Sequence, residues 1–156
     1  MFEQDEFWMR RAIEFAAAAA NLNEVPIGAC LIDEHCKLLA IAGNRTITIN
    51  DPTAHAEILV LREAAALIGN YRLTETVLYT TIEPCAMCAG ALVNARIKRL
   101  VFGAHDKRFG AVESVFQICS TSSLNHKIEI TSGVLAEDCR RLMQEFFKVK
   151  RIKAKG

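Results

Sequence analysis

The feature that most constrains this chain is a pair of short motifs, H-x-E at residues 55–57 and P-C-x-x-C at residues 84–88. Together they offer one imidazole and two thiol groups, which are ligands that zinc binds readily. Three protein ligands leave the fourth position of a tetrahedral zinc ion open to water, whereas a structural zinc site is closed by a fourth residue. The sequence therefore predicts a zinc site formed by His55, Cys85 and Cys88.

The second motif is predicted to lie where a strand passes into a helix. Residues 76–82 have the β-branched and aromatic content that is typical of a strand. Pro84 suits the start of the helix that follows, so Cys85 and Cys88 share one face of its first turn. The positive end of a helix favours the thiolate form of cysteine, which is the form that binds metal.

The first motif also needs a helix entry, because residues i and i+2 do not share a face of a regular helix. Residues 51–53 supply turn and capping residues ahead of the apolar run 58–68, so His55 and Glu57 could converge there. Zinc lowers the pKa of its bound water, and Glu57 could take that proton and return it to a leaving group. This chemistry suits the hydrolytic removal of an amino group from an aromatic ring.

Each motif alone has a plainer interpretation. A lone C-x-x-C could be a redox pair, and a lone His-x-Glu at a helix start is usually a surface or capping feature. Their joint occurrence at two helix entries favours a catalytic zinc site over a structural one or a redox pair. A further adjacent pair, His35 and Cys36, is interpreted as incidental residues of a polar turn.

Length and composition limit the function classes. The 156 residues predict one domain, 1–156, with a core of its own. No apolar run approaches the roughly 20 residues that span a membrane, and the acidic N-terminal residues do not resemble a signal peptide. The six cysteines lie at scattered spacings, apart from the one pair, and are expected to be reduced. A cytoplasmic location without a membrane partner is therefore expected.

The charge of the chain is unevenly distributed. Its net charge is only +1, but residues 148–156 carry five basic residues and no acidic one. Such a segment either contacts phosphate or is only a solvated end. Just before it, Phe146 and Phe147 lie about 100° apart on a helix, so both cannot face one core position. We expect one ring to pack inward and the other to lie near the surface, where it could stack on a base. The alternative is that both are buried, either between helix and sheet or at a dimer interface.

The predicted elements follow the order helix, hairpin, helix, strand, helix, strand, helix, strand, helix. This order indicates an α/β fold with a mixed sheet covered by helices. The predicted helices are 7–21, 58–68, 86–92, 112–119 and 135–151. The predicted strands are 26–32, 38–42, 76–82, 99–104 and 127–131.

The motifs and their flanks resemble the bacterial tRNA-specific adenosine deaminases of the cytidine deaminase superfamily. The H-x-E and P-C-x-x-C motifs are shared by the whole superfamily, whereas the longer stretch 79–85 and the flanking segments point to the tRNA enzymes. The resemblance covers nearly the whole chain and rests on residues 24–29, 43–45, 51–58, 79–92, 99–106, 124–126 and 146–147.

This resemblance implies a three-layer α/β/α fold of the cytidine deaminase-like type, with a five-stranded mixed sheet. It implies zinc as cofactor, held by His55, Cys85 and Cys88, with Glu57 as the proton shuttle. The implied reaction converts adenosine to inosine at the wobble position of a tRNA anticodon. The implied partners are an anticodon stem-loop and a second copy of the chain, with no DNA. The implied substrate-binding residues are Asn44, Ala56, Asp106 and Phe147.

Two positions depart from the family pattern, and two alternatives stay open. Arg108 stands where the family has lysine, and Glu113 where it has a small residue. A deaminase of a free base or nucleotide, such as cytosine, guanine or dCMP, would share the zinc site. A structural-zinc RNA-binding module would need a fourth ligand from Cys36, His105 or Cys139.

Overall fold

The structure, a computed structural model, describes residues 2–155. Met1 and Gly156 lie outside the described residues, so the two ends of the predicted domain 1–156 and the last residue of the basic segment do as well. The elements are α1 (Phe2–Asn21), β1 (Gly28–Ile32), β2 (Leu38–Gly43), α2 (Ala56–Ile68), β3 (Val77–Ile82), α3 (Ala86–Ala95), β4 (Arg99–Ala104), β5 (Glu129–Thr131) and α4 (Ala136–Lys155). In this range, no helix is both long and apolar enough to cross a membrane.

The five strands form one mixed sheet in the order β2-β1-β3-β4-β5. β1 pairs antiparallel with β2 and with β3, while β3, β4 and β5 run parallel. All five residues of β1 are buried, as are most residues of β3 and β4. This burial on both faces explains why their sequences are continuously apolar rather than alternating. The predicted hairpin and mixed sheet are confirmed.

Helices cover both faces of the sheet, so the predicted three-layer α/β/α fold is confirmed. α2 and α3 share one hydrophobic core with the sheet, and α1 and α4 share the other. α1 lies very close to β1 at Gly28, which has no side chain. A Cβ at this position would overlap the carbonyl oxygen of Ala12. The alanines of α1 at positions 12, 16 and 19 are buried on this face, where larger side chains would hold the helix away.

A buried polar network joins the first turns of α1 to the sheet. The guanidinium of Arg99 donates to both carboxylate oxygens of Asp5, at 2.9 and 2.6 Å. The hydroxyl of Tyr79 donates to the same carboxylate at 2.9 Å. Asp5 is 3% exposed, so this carboxylate depends on those donors in place of water.

The predicted helix 112–119 is wrong, because the segment forms irregular turns instead. Its backbone N–H groups do not donate to the carbonyl four residues earlier, as in an α-helix. Instead, Val115 N–H donates to Gly110 O and Ile118 N–H donates to Ala111 O. Three consecutive N–H groups, those of residues 112–114, converge on the carboxylate of Glu83 at 2.8–3.1 Å. A buried carboxylate distant in sequence therefore sets the backbone of this segment.

The other differences concern the ends of elements. α1 begins five residues earlier than predicted, at Phe2 rather than Phe7, and α4 continues to Lys155. The basic residues from 148 to 155 therefore lie on a helix, and not on an irregular tail.

Candidate active site

Two helices begin at the site, and each is preceded by a predicted metal ligand. His55 is the N-cap residue of α2 and Cys85 is the N-cap residue of α3, both with extended backbone conformations and no side-chain cap bond. Their side chains are therefore available to a metal, and their carbonyl oxygens accept the first helical hydrogen bonds, from Leu59 and Ala89. The predicted helix entries at both motifs are confirmed, and two positive helix ends face one site.

The three predicted ligands come together. His55 Nδ1 lies 3.6 Å from Cys85 Sγ and 3.4 Å from Cys88 Sγ, and the three ligand atoms lie within 4.8 Å of one another. Zinc bonds of about 2.3 Å to sulfur and about 2.0–2.1 Å to nitrogen, at tetrahedral angles, separate such atoms by about 3.5 Å. The donor set and its spacing therefore fit a zinc ion.

Glu57 lies in the first turn of α2 and is 3% exposed. Among the side chains of residues 2–155, its Oε1 atom is the buried polar atom that has no hydrogen-bond partner. Burial raises the pKa of Glu57 to about 7. A buried carboxylate with a free oxygen beside three metal ligands suits a group that takes up and returns a proton.

The two thiols of the motif are not equivalent. A hydrogen bond from Cys88, aided by His55, lowers the pKa of Cys85 to about 4. The same hydrogen bond and burial raise the pKa of Cys88. The hydrogen bond to Cys85 raises the pKa of His55. Negative charge is thus stabilised at Cys85 before any metal binds, which favours a cation between these side chains.

The site opens into a cavity of about 630 Å³. His55, Glu57, Cys85 and Asn44 line it together with residues of the β4–β5 connection and of α4. With the residues just before β1 and at the ends of β3 and β4, the rest of the lining is Val25, Ile27, Ile82, Glu83, Ala104, His105, Asp106, Lys107, Arg108, Phe109, Arg140, Met143 and Phe147. β3 and β4 are parallel and both end here, at the edge of the sheet where α/β proteins bind ligands. Three of the four predicted substrate-binding residues, Asn44, Asp106 and Phe147, line this cavity.

Asn44 is held by the first residue of α2. Its Oδ1 atom accepts a hydrogen bond from the N–H of Ala56 at 2.8 Å, so its amino group remains as a donor. The Ala56 N–H is therefore engaged by Asn44, and the Ala56 side chain is fully buried away from the cavity lining. A substrate contact through Asn44 or Ala56 stays a prediction.

Asp106 organises the loop that follows β4. Its Oδ1 accepts from the N–H groups of Arg108 and Phe109, at 3.0 and 3.1 Å, and its own N–H donates to Glu83 at 3.0 Å. Arg108 lines the cavity. Glu113 pairs with His105 at 2.9 Å, which gives this departure from the family pattern a partner in the same loop.

The two phenylalanines of α4 differ in exposure, as predicted, but Phe146 is only half-buried rather than packed into the core, and the two ring centres lie 5.3 Å apart. Phe147 is 40% exposed and lines the cavity, whereas Phe146 is half-buried on another side of the helix. Phe147 also lines a neighbouring groove with Arg108, Lys150 and Arg151. A continuous basic and aromatic surface therefore leads from α4 into the cavity. The alternative that both rings are buried between helix and sheet is wrong, whereas burial at a dimer interface stays a prediction.

The fourth ligand that a closed zinc site requires is not found in the described part of the chain. The group of potential metal ligands contains His55, Cys85 and Cys88, and none of the three candidates for closing it. Cys36 is exposed, Cys139 is buried behind Gly103, and His105 pairs with Glu113. The described residues therefore supply three ligands to one site, a number that is typical of catalytic zinc centres, whereas structural centres have four.

Two buried glutamates that support the cavity were missed at the level of sequence. Glu24 accepts hydrogen bonds from Thr46, Ile47 and Thr48, in the segment between Asn44 and His55. Glu83 accepts from Asp106 and residues 112–114, and the hydrogen bonds outweigh burial so that the pKa of Glu83 is lowered. Glu24 and Glu83 each adjoin apolar residues of a strand region, but nothing in the sequence around them indicates their partners.

Comparison with known proteins finds deaminases that are similar to this chain. Residues 3–151 match the MafB19-like deaminase family. A tRNA-specific adenosine deaminase from Haemophilus influenzae is 49% identical over 149 residues, which are 96% of this chain and 86% of that protein. A solved structure from a study of A-to-I editing by tRNA:A34 deaminases at the wobble position of transfer RNA is 42% identical, with a TM-score of 0.84, and covers 87% of this chain and 98% of that chain. A guanine deaminase from Nitrosomonas europaea is 26% identical, with a TM-score of 0.78 over 90% of this chain and 83% of that chain.

Proposed function

The chain belongs to the MafB19-like deaminases and, among them, to the tRNA-specific adenosine deaminases, and from this premise we propose how its residues act on RNA. The protein is a deaminase that hydrolyses adenosine to inosine at the wobble position of a tRNA. The observation that carries this function is the group of His55, Cys85 and Cys88 beside the buried, unpartnered carboxylate oxygen of Glu57.

His55, Cys85 and Cys88 hold a zinc ion in the proposed active enzyme. Zinc in a three-ligand site lowers the pKa of a water molecule towards neutrality and so supplies the nucleophile for hydrolysis. The hydrogen bond from Cys88 lowers the pKa of Cys85, which favours the thiolate form that binds a metal ion.

Glu57 is the proposed proton shuttle. Because burial raises the pKa of Glu57 to about 7, the carboxyl group can both accept and donate a proton near neutral pH. Its Oε1 atom has no partner among the described residues, so it can face the nucleophile and then the departing amino group. Ammonia leaves once the amino nitrogen has received that proton.

Asn44 is the proposed recognition group for the base. Because Ala56 occupies its oxygen, its amino group donates to a ring nitrogen of the purine. Asp106 and Phe147, which also line the cavity, complete the proposed substrate-binding set. The cavity of about 630 Å³ accepts a base that has left its stack, as an unpaired anticodon loop allows.

The proposed substrate is an anticodon stem-loop, and the surface beside the cavity supports this choice. Arg108, Lys150 and Arg151 line the groove that continues from the site along α4. Side chains of this kind neutralise phosphates, while a free base offers none to bind. The reaction is proposed to take place in the cytoplasm, which agrees with the six free cysteines of the described chain.

The proposed assembly is a homodimer, as expected for this family. Exposed apolar side chains at the end of α2, including Leu67 at 63% and Ile68 at 46% exposure, offer a surface for such a contact. Sedimentation analysis of the purified protein tests this assembly, and a monomer at all concentrations would contradict it.

One assay tests the substrate directly. The purified protein is incubated with a stem-loop that carries adenosine at the first anticodon position and, in parallel, with free adenosine, cytosine and guanine. We expect inosine in the stem-loop and much slower turnover of the free compounds. Faster deamination of guanine or cytosine would instead favour a free-base deaminase, which shares the zinc site and the fold.

A further inference from the structure

Phe109 exposes an aromatic ring at the mouth of the cavity. Its side chain is 64% exposed, yet it lines the same cavity as His55 and Glu57. A ring so exposed adds little to the core, and it lies in the loop between β4 and β5 rather than on a packed element. The ring is therefore accessible to a ligand at the mouth of the cavity.

The backbone that carries this ring is fixed. The N–H of Phe109 donates to Asp106 Oδ1 at 3.1 Å, and the N–H of Gly110 donates to Asp106 O at 2.8 Å. Gly110 lies directly against Glu83, since a Cβ at this position would overlap the carboxylate. These contacts hold the backbone at Phe109 and at the residue after it. Binding of a ligand to the ring therefore costs little entropy for ordering the loop.

Basic side chains lie near the ring. The guanidinium carbon of Arg108 lies 5.6 Å from the centre of the Phe109 ring, and Lys107 and Arg140 line the same cavity. Exposed aromatic rings interleaved with basic side chains are the means by which proteins bind single-stranded nucleic acid, with the bases stacked on the rings and the phosphates near the charges.

We propose that Phe109 is a stacking subsite for a nucleotide that neighbours the target adenosine in the RNA loop. The target base enters the cavity towards Glu57, and an adjacent base lies on the Phe109 ring with its phosphate near Arg108. This inference rests on the proposed function and adds to it a contact outside the reacting nucleotide.

The test combines a protein change with an RNA change. Phe109→Leu keeps an apolar side chain but loses the flat ring, whereas Phe109→Tyr keeps the ring. Each protein is assayed on the intact stem-loop and on a set of stem-loops that are abasic at one loop position other than the target. Phe2→Leu is the matched control, because Phe2 is 70% exposed and lies on α1, away from the cavity lining.

Loss of one base stack predicts a rise in KM of about 5- to 150-fold for Phe109→Leu on the intact stem-loop. Metal content and kcat should stay near the wild-type values, and Phe109→Tyr and Phe2→Leu should behave as the wild type. At one abasic position the wild type should show the same rise, and Phe109→Leu should add nothing further.

Three results would overturn the subsite. They are a wild-type KM for Phe109→Leu, a penalty that is equal at every abasic position, or a change in oligomeric state, which would place Phe109 in a protein contact. A wild-type protein that is inactive on the intact stem-loop would instead overturn the proposed function, and the subsite with it.

Discussion

The carboxamide oxygen of Asn44 accepts the N–H of Ala56 at 2.8 Å, and this one bond joins the end of β2 to the start of α2. It satisfies a helix N–H that has no partner within its own helix. It also fixes which end of the amide is free, so the amino group is the part of Asn44 that can reach a substrate. The Asn44 side chain therefore supports the start of α2 with its oxygen and is proposed to recognise the base with its amino group.

Two substitutions of Asn44 separate these roles. Asn44→Asp keeps an oxygen for Ala56 but removes the donor, so the metal content should stay unchanged. Activity should fall by at least about tenfold, because one hydrogen bond worth about 0.5–1.5 kcal/mol is lost and the added charge repels an acceptor on the base. Asn44→Ala should also destabilise the fold by about 1–3 kcal/mol, because it leaves a buried N–H unsatisfied. Inosine formation and urea unfolding measure the two effects. Full activity in Asn44→Asp would remove Asn44 from base recognition.

The buried pair of Asp5 and Arg99 should matter for stability alone. Their side chains are 4% and 14% exposed, so Asp5→Asn leaves a guanidinium without its counter-charge in a mostly buried position. We expect a loss of about 3–5 kcal/mol in the free energy of unfolding. The neighbouring Lys98–Glu75 pair, with side chains 53% and 57% exposed, is the control, and Lys98→Ala should cost at most about 1 kcal/mol. Equal losses would show that burial does not distinguish the pairs.

Glu24 should give the fold a dependence on acid pH. Burial opposes its ionisation, but hydrogen bonds from Thr48, Ile47 and Thr46 outweigh burial and hold the pKa of Glu24 below its ordinary 4.5. Its contribution to stability is therefore complete above that pH and is lost as the pH falls through the lower, folded-state pKa. The unfolding free energy of the wild type should exceed that of Glu24→Gln near neutral pH, and the difference should shrink in acid.

The control for this experiment is Glu14→Gln, which changes a glutamate whose side chain is 65% exposed. Its difference from the wild type should stay small and flat with pH. A Glu24→Gln difference that stays constant with pH would show that the carboxylate charge is not what holds residues 46–48.

Local signals in the sequence predicted the parts of the molecule that are close together along the chain. The turn residues before α2 and Pro84 before α3 placed both helix entries, and the spacing of Cys85 and Cys88 placed two ligands in one helical turn. The strands were predicted to within a few residues, because their apolar runs are bounded by polar turns.

What could not be predicted depends on contacts that are distant in sequence. The segment 112–119 has the composition of a short helix, but the N–H groups of residues 112–114 donate to the carboxylate of Glu83, about thirty residues away. The role of Glu24 is hidden in the same way, since its partners at Thr46 and Thr48 follow a complete hairpin. Neither pairing leaves a local pattern, because each needs the sheet to be formed first.

Because the basic segment is helical, its basic side chains point in different directions, and we expect only some of them to contact RNA phosphates. Lys150 and Arg151 line the groove that leads to the cavity, whereas Lys148 lines neither this groove nor the cavity. Changing both Lys150 and Arg151 to glutamine should flatten the slope of log affinity against log salt by about 1.4, at about 0.7 for each single-strand phosphate contact. Lys148→Gln should leave the slope unchanged. Binding of a stem-loop across a salt series measures this, and identical slopes for all three proteins would show that the segment is only a solvated helix end.

The most direct test of the account is a comparison of Glu57→Gln with the wild type, with metal content and inosine formation measured on the same preparations. Glu57 is not one of the three ligand residues, so Glu57→Gln should retain zinc while Cys88→Ala loses it. General acid–base catalysis contributes about 10²–10⁴-fold, so the rate of inosine formation on the stem-loop should fall by at least about 10²-fold in Glu57→Gln. Zinc-loaded Glu57→Gln with a rate near that of the wild type would contradict the account.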